Sequence, residues 1–166
     1  TEQITTLLQD VHVDAVKIGM LGDAATVRAV ADGLRAYAPA AVVLDPVMIS
    51  KSGRRLLAAD ALDALRTRLL PLVDLLTPNL PEAADLLGVA PAKDEETMHA
   101  HLRKLGDLCP RVLLKGGHLP GADCVDLLLE DGRTTRLSAP RVITDNRHGT
   151  GCALSSAIAV LRPRCG

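Results

Sequence analysis

Short apolar runs alternate with stretches of helical spacing along almost the whole chain, and Gly, Pro, Asp or Asn marks the switches. That alternation is the tightest constraint on the fold, because strand–helix–strand units pair their strands in parallel and cover them with helices. Asp14 to Ile18 reads as a strand ending at Gly19. Asp23 offers an N-cap to a helix reaching about Tyr37, with Val27, Val30, Ala31 and Leu34 at helical spacing. Ala41 to Leu44 reads as a buried strand stopped by Asp45-Pro46. Residues 59–69 read as helix and Val73 to Leu76 as strand. Pro81 to Leu87 reads as a helix ended by Gly88, with a further helix over about 95–106. Arg111 to Lys115 is a strand cut by Gly116-Gly117. Val125 to Glu130 and Thr134 to Ser138 flank Asp131-Gly132 as a hairpin. From Gly151 onward, Leu154, Ala157, Ile158 and Leu161 mark one helix face. With no repeat, low-complexity tract or linker, residues 1–166 read as one α/β domain with a mostly parallel sheet covered by helices.

Composition narrows the function classes. The chain has 166 residues, 48% apolar and 23% charged, with a formal net charge of −1, so it is not intrinsically disordered. Its 19 basic residues are offset by 20 acidic ones, and Tyr37 is the only aromatic residue. Neither phosphate-driven nor stacking-driven nucleic-acid binding is expected from that. No apolar run approaches the roughly 20 residues that span a bilayer, so no membrane association is expected. A polar start without a leader and four cysteines (Cys109, Cys124, Cys152, Cys165) lacking any CxxC pairing imply reduced thiols, no zinc site and a cytoplasmic location.

Parallel sheets bind ligands beyond the carboxyl ends of their strands, and the unusual residues collect there. Gly19-Met20-Leu21-Gly22 follows the first strand, and Asp45-Pro46-Val47-Met48 with Lys51-Ser52-Gly53 follows the second. Thr77-Pro78-Asn79-Leu80-Pro81-Glu82 follows the third, and Lys115-Gly116-Gly117-His118 the fourth. The last helix is entered through His148-Gly149-Thr150-Gly151-Cys152, where glycines let backbone N–H groups converge on an anion beside a helix dipole. Cys152 falls in the first turn, where that field lowers a thiol pKa; the plainer reading is a small buried Cys behind a Gly-rich turn. Neither a Walker A loop nor a dinucleotide fingerprint occurs.

The other positions carry similar pairs of readings. Asp45 suits a turn before Pro46 or a functional carboxylate. Asn79 and Glu82 suit an N-cap and a helix-dipole carboxylate, or magnesium ligation. Lys115 suits a solvated strand end or a phosphate contact. Met20 and Met48 have core filling as their plainer role. His12 precedes a strand, and His99 and His101 fall in a polar helix and are expected to face solvent. What favours the functional readings is co-occurrence: a carboxylate, an Asn/Glu pair, a Lys and an anion cradle at successive strand ends are what phosphoryl transfer needs.

Five strings then appear in order: V-K-I-G-M-L-G, V-V-L-D-P-V-M-I-S-K-S-G, L-T-P-N-L-P-E-A, L-L-K-G-G-H and H-G-T-G-C-A-L-S-S-A-I-A. Together they resemble the hydroxymethylpyrimidine/phosphomethylpyrimidine kinases of thiamine biosynthesis, in the ribokinase-like superfamily. The resemblance implies a ribokinase-like α/β fold with helices on both faces of the sheet. It implies transfer of the ATP γ-phosphate to 4-amino-5-hydroxymethyl-2-methylpyrimidine and then to its monophosphate. By the same resemblance Cys152 would take the place of the superfamily's aspartate base, and Gly149, Thr150 and Gly151 would form the anion hole. Asp45 and Glu82 would hold Mg2+, Asn79 and Lys115 would contact ATP, and Met20 and Val47 would line the pyrimidine pocket. A homodimer is also implied.

The chain departs from the family pattern in lacking its opening G-S-D-x-S-G-G-A-G-I-Q-A-D segment and in stopping at Arg164-Cys165-Gly166. The domain is therefore expected to be incomplete at both ends. Arg147 stands where the family usually has Thr. The rival readings are a pyridoxal/pyridoxine kinase, an inactive fragment that only binds nucleotide or a partner, and a Cys152/His148 hydrolase. The last is weakened by the lack of an orienting group.

Overall fold

The computed structural model describes residues 2–49, 56–144 and 149–165. Lys51-Ser52-Gly53, Arg147 and His148 lie outside the described residues. Six strands form one sheet in the order β1-β2-β3-β4-β5-β6: Ala15–Ile18, Ala41–Leu44, Leu75–Leu76, Val112–Lys115, Asp123–Glu130 and Arg133–Pro140. β1 to β4 pair in parallel, and β5 and β6 add antiparallel as the expected hairpin, closed by Asp131 and Gly132 at positive φ.

The helices are α1 (Glu2–Asp10), α2 (Ala24–Tyr37), α3 (Ala59–Ala64), α4 (Leu80–Leu87), α5 (Glu95–Gly106) and α6 (Thr150–Cys165). Asp23 caps α2 by accepting from the Thr26 amide at 2.7 Å, and Asp94 does the same for α5 through Thr97. Past Ala64 the helix continues as a π turn over Leu65–Leu69 and a 3₁₀ turn over Leu70–Leu72. Pro71, which has no N–H to give, ends it. Gly88 closes α4 in the left-handed region at φ 68°.

Consecutive strand order has a geometric consequence. Repeated right-handed crossovers in one direction put every connecting helix on the same face of the sheet. The buried residues sort accordingly. Val42, Leu44, Leu76, Val112 and Leu114 pack with side chains of α2, α3, α4 and α5 in the large core. Their alternating neighbours Val43, Leu75 and Leu113 face the other way and meet Ala159 and Ile158 of α6. Helices thus cover both faces, four on one and α6 on the other. β2 is buried along its whole length, as a strand covered on both sides must be.

Three expectations change. Residues 2–10 form a helix that the polar opening did not announce. His101 is buried at 5% exposure rather than solvent-facing, because it lies three residues after fully buried Met98 and next to Leu102 on the apolar stripe of α5. Met48 does fill core, whereas Met20 is 57% exposed. Among the described residues, no helix is long and apolar enough to cross a membrane.

Candidate active site

The carboxyl ends of the four parallel strands lie along one edge, and the N-terminus of α6 comes to the same edge from the opposite face. Asp45, the first residue after β2, is at its centre and only 2% exposed. Its Oδ1 accepts from Lys115 Nζ at 2.9 Å, and the Lys115 side chain is itself 16% exposed. Thr77 Oγ1, following β3, donates to Asp45 Oδ1 at 3.4 Å, and Ser155 Oγ of α6 donates to Oδ2 at the same distance. Both hydroxyls are fully buried. A carboxylate so far from water needs such partners, since an unpaired buried charge costs several kcal/mol.

The strand ends are also stitched through the backbone. The Lys115 amide donates to the Pro78 carbonyl at 2.9 Å, and Asn79 bridges Lys115 in parallel register. Asn79 and Glu82 form a reciprocal capping box at the start of α4: Asn79 Oδ1 accepts from the Glu82 amide at 2.9 Å, and Glu82 Oε2 accepts from the Asn79 amide at 2.8 Å. The plainer reading of this pair therefore holds, and it fixes both side chains beside Lys115. Burial pushes the Glu82 carboxyl up to about 7, and the Asp45 charge adds to the push. The Asn79 amide hydrogen bond and the Lys115 charge pull in the other direction.

Gly149 begins the last segment at φ 77°, a conformation that favours glycine, and its carbonyl accepts from the Ala153 amide at 2.8 Å. Thr150 opens α6, so the amides of Gly151 and Cys152 lie outside the helix's own hydrogen-bond ladder. Gly151 is the closest approach. A Cβ there would stand 3.1 Å from Lys115 Nζ and 3.9 Å from Asp45 Oδ2. A cation, a carboxylate and a helix N-terminus thus converge at one point. Cys152 is exposed, which overturns its reading as a buried structural thiol. Exposed Met20 and half-buried Val47 follow β1 and β2 on this edge.

Sequence reasoning missed Thr77 and Ser155 as parts of the site. The available signal was position: Thr77 is the first residue past β3, and Ser155 lies three residues beyond Cys152 on α6. A divalent cation fits the donor set. Among the described residues no group of three or more His, Cys, Asp or Glu could hold a metal ion, and the carboxylates buried there are Asp45 and Glu82. Magnesium favours that arrangement, because it keeps several waters and takes its remaining oxygens from phosphate.

The family model described as phosphomethylpyrimidine kinase matches residues 1–164. The hydroxymethylpyrimidine/phosphomethylpyrimidine kinase of Salmonella typhimurium is 50% identical over 98% of this chain and 61% of its own length. Its Escherichia coli counterpart is 48% identical over the same shares. The chain thus spans about three fifths of the length of these curated relatives. Among solved structures, the ADP complex of Bacillus subtilis pyridoxal kinase superposes with TM-score 0.90 at 30% identity, covering 99% of this chain and 62% of that one. The fold expected from the strings, ribokinase-like with helices on a mostly parallel sheet, is the fold these similarities show.

Proposed function

The chain belongs to the phosphomethylpyrimidine kinase family, and from that premise we propose that it phosphorylates 4-amino-5-hydroxymethyl-2-methylpyrimidine and then its monophosphate, using ATP. The observation that carries the proposal is the approach of Lys115 Nζ and Asp45 to Gly151 at the head of α6. Lys115 draws the ATP phosphates to that point, and Asn79 supports them from the cap of α4. Backbone N–H groups of Gly149, Thr150 and Gly151 take up charge that develops on the transferred group. Magnesium held by Asp45 and Glu82 would neutralise phosphate charge when bound. Met20 and Val47 line the pyrimidine side.

In the first step the hydroxymethyl oxygen bonds to the γ-phosphorus, the bond to the bridging oxygen breaks, and ADP leaves. The hydroxyl proton passes to the Cys152 sulfur, in the first turn of α6. In the second step a phosphate oxygen of the monophosphate attacks, so no alcohol proton has to be removed. Orientation and charge stabilisation carry most of the rate. Such an enzyme works where ATP is plentiful, in the cytoplasm.

One observation favours a second reading, phosphorylation of pyridoxal: the Bacillus subtilis pyridoxal kinase superposes on this chain with TM-score 0.90. The 50% identity to a pyrimidine kinase favours the first. Cys152→Ala tests the mechanism. Turnover of the alcohol is expected to fall about 100-fold or more while ATP affinity stays within about twofold. Unchanged turnover would remove Cys152 from the reaction.

A further inference from the structure

Arg141, the residue after β6, reaches back over the loop that follows β4. Its Nε donates to the Gly121 carbonyl at 2.9 Å, and Nη1 donates to Gly117 at 3.0 Å. Nη2 donates to Leu119 at 2.6 Å and to Asp123 at 3.4 Å. Its own backbone amide donates to the Ala122 carbonyl at 2.7 Å. One guanidinium therefore gathers three carbonyls of one loop and that of Asp123 at the start of β5, an arrangement that needs the planar fork of Arg and that a Lys ammonium cannot reproduce.

That loop begins at Lys115's next neighbour. Gly116 is pressed into the sheet: its amide donates to Asp126 Oδ1 at 2.9 Å, and a Cβ there would run into the Val125 carbonyl and Met98 Cε. The loop start is thus fixed from below by Gly116 and from across by Arg141. His118 lies in the chain between the two anchors and is exposed. All described peptides are trans, so turning the Gly117 and Gly121 carbonyls to the guanidinium turns the His118 and Ala122 N–H groups away from it.

We infer that Arg141 is a positioning residue for the nucleotide: it holds in one shape the 116–123 loop, which continues directly from Lys115 at the phosphate-side edge. The inference rests on the kinase reading, and its experiment separates the two. Arg141→Ala and Arg141→Lys are compared with the unaltered chain by ATP titration, acceptor KM, thermal unfolding and amide hydrogen exchange. Both variants are expected to bind ATP about tenfold more weakly, with pyrimidine KM within about twofold. Amide protection should fall within 117–123 while the sheet keeps its protection, and methylguanidine should restore ATP affinity to Arg141→Ala. ATP affinity equal to that of the unaltered chain would overturn the inference. So would a loss of protection spread over the whole sheet with both KM values rising together. An unaltered chain that binds no ATP would refute the kinase reading and with it the nucleotide part of this assignment. The exchange arm would still report whether Arg141 holds the loop.

Discussion

Asp45 and Lys115 stand 70 positions apart and meet at 2.9 Å in a place with almost no water. At that depth each charge depends on the other. Among the described residues, Lys115→Met leaves the Asp45 carboxylate with two hydroxyl contacts at 3.4 Å that it shares with backbone carbonyls, and is expected to cost about 3–5 kcal/mol in urea unfolding. Adding Asp45→Asn removes the stranded charge, so the double variant should be more stable than Lys115→Met alone. Additive losses would show that the two groups are independent. Residue identity made each member of the pair readable as a candidate, since both end strands. Their contact was not readable, because it depends on β2 and β4 being separated by only one strand in the sheet. Thr77 and Ser155 were missed for the same reason: a hydroxyl becomes a buried donor only once two chain segments close over it.

Elements were more legible than contacts. Alternation and capping residues located β1, α2, β2, α4, α5 and β4 to within a residue or two, because Asp23, Asn79, Gly88 and Asp94 act through bonds to their own neighbours. The π turn at Leu65–Leu69 had no such local signal. α1 did have Ile4, Leu7 and Leu8 at helical spacing, but polar residues diluted them. The capping box at α4 allows a direct check. Asn79→Ala removes the acceptor for the Glu82 amide and is expected to cost about 1 kcal/mol by chemical denaturation. A loss below the error of that measurement would mean that the box does not stabilise α4.

α5 supplies a second check, through pH. Burial lowers the His101 pKa below 6.5, so the unfolded chain binds more protons than the folded one as the pH drops. The contribution is therefore fully present above 6.5 and is lost as pH falls through the depressed value. His101→Leu should lose less melting temperature than the unaltered chain between about pH 7.5 and about pH 5.5. Equal losses would show that His101 does not contribute to acid unfolding.

At the scale of the whole molecule, strand order explains why the site exists. Four parallel strands deliver Met20, Asp45, Asn79 and Lys115 to one edge, and α6 crosses the opposite face to bring Gly149 to Cys152 there. No stretch of the sequence contains that site; the topology assembles it. The most direct test of the account is to incubate the chain with Mg-ATP and equal amounts of hydroxymethylpyrimidine and pyridoxal, and to read the products by mass. The account predicts pyrimidine monophosphate and then diphosphate, each formed with one ADP. Pyridoxal phosphate as the sole product would contradict the pyrimidine assignment, and no phosphorylated product from either acceptor would contradict the proposal that this edge transfers phosphate.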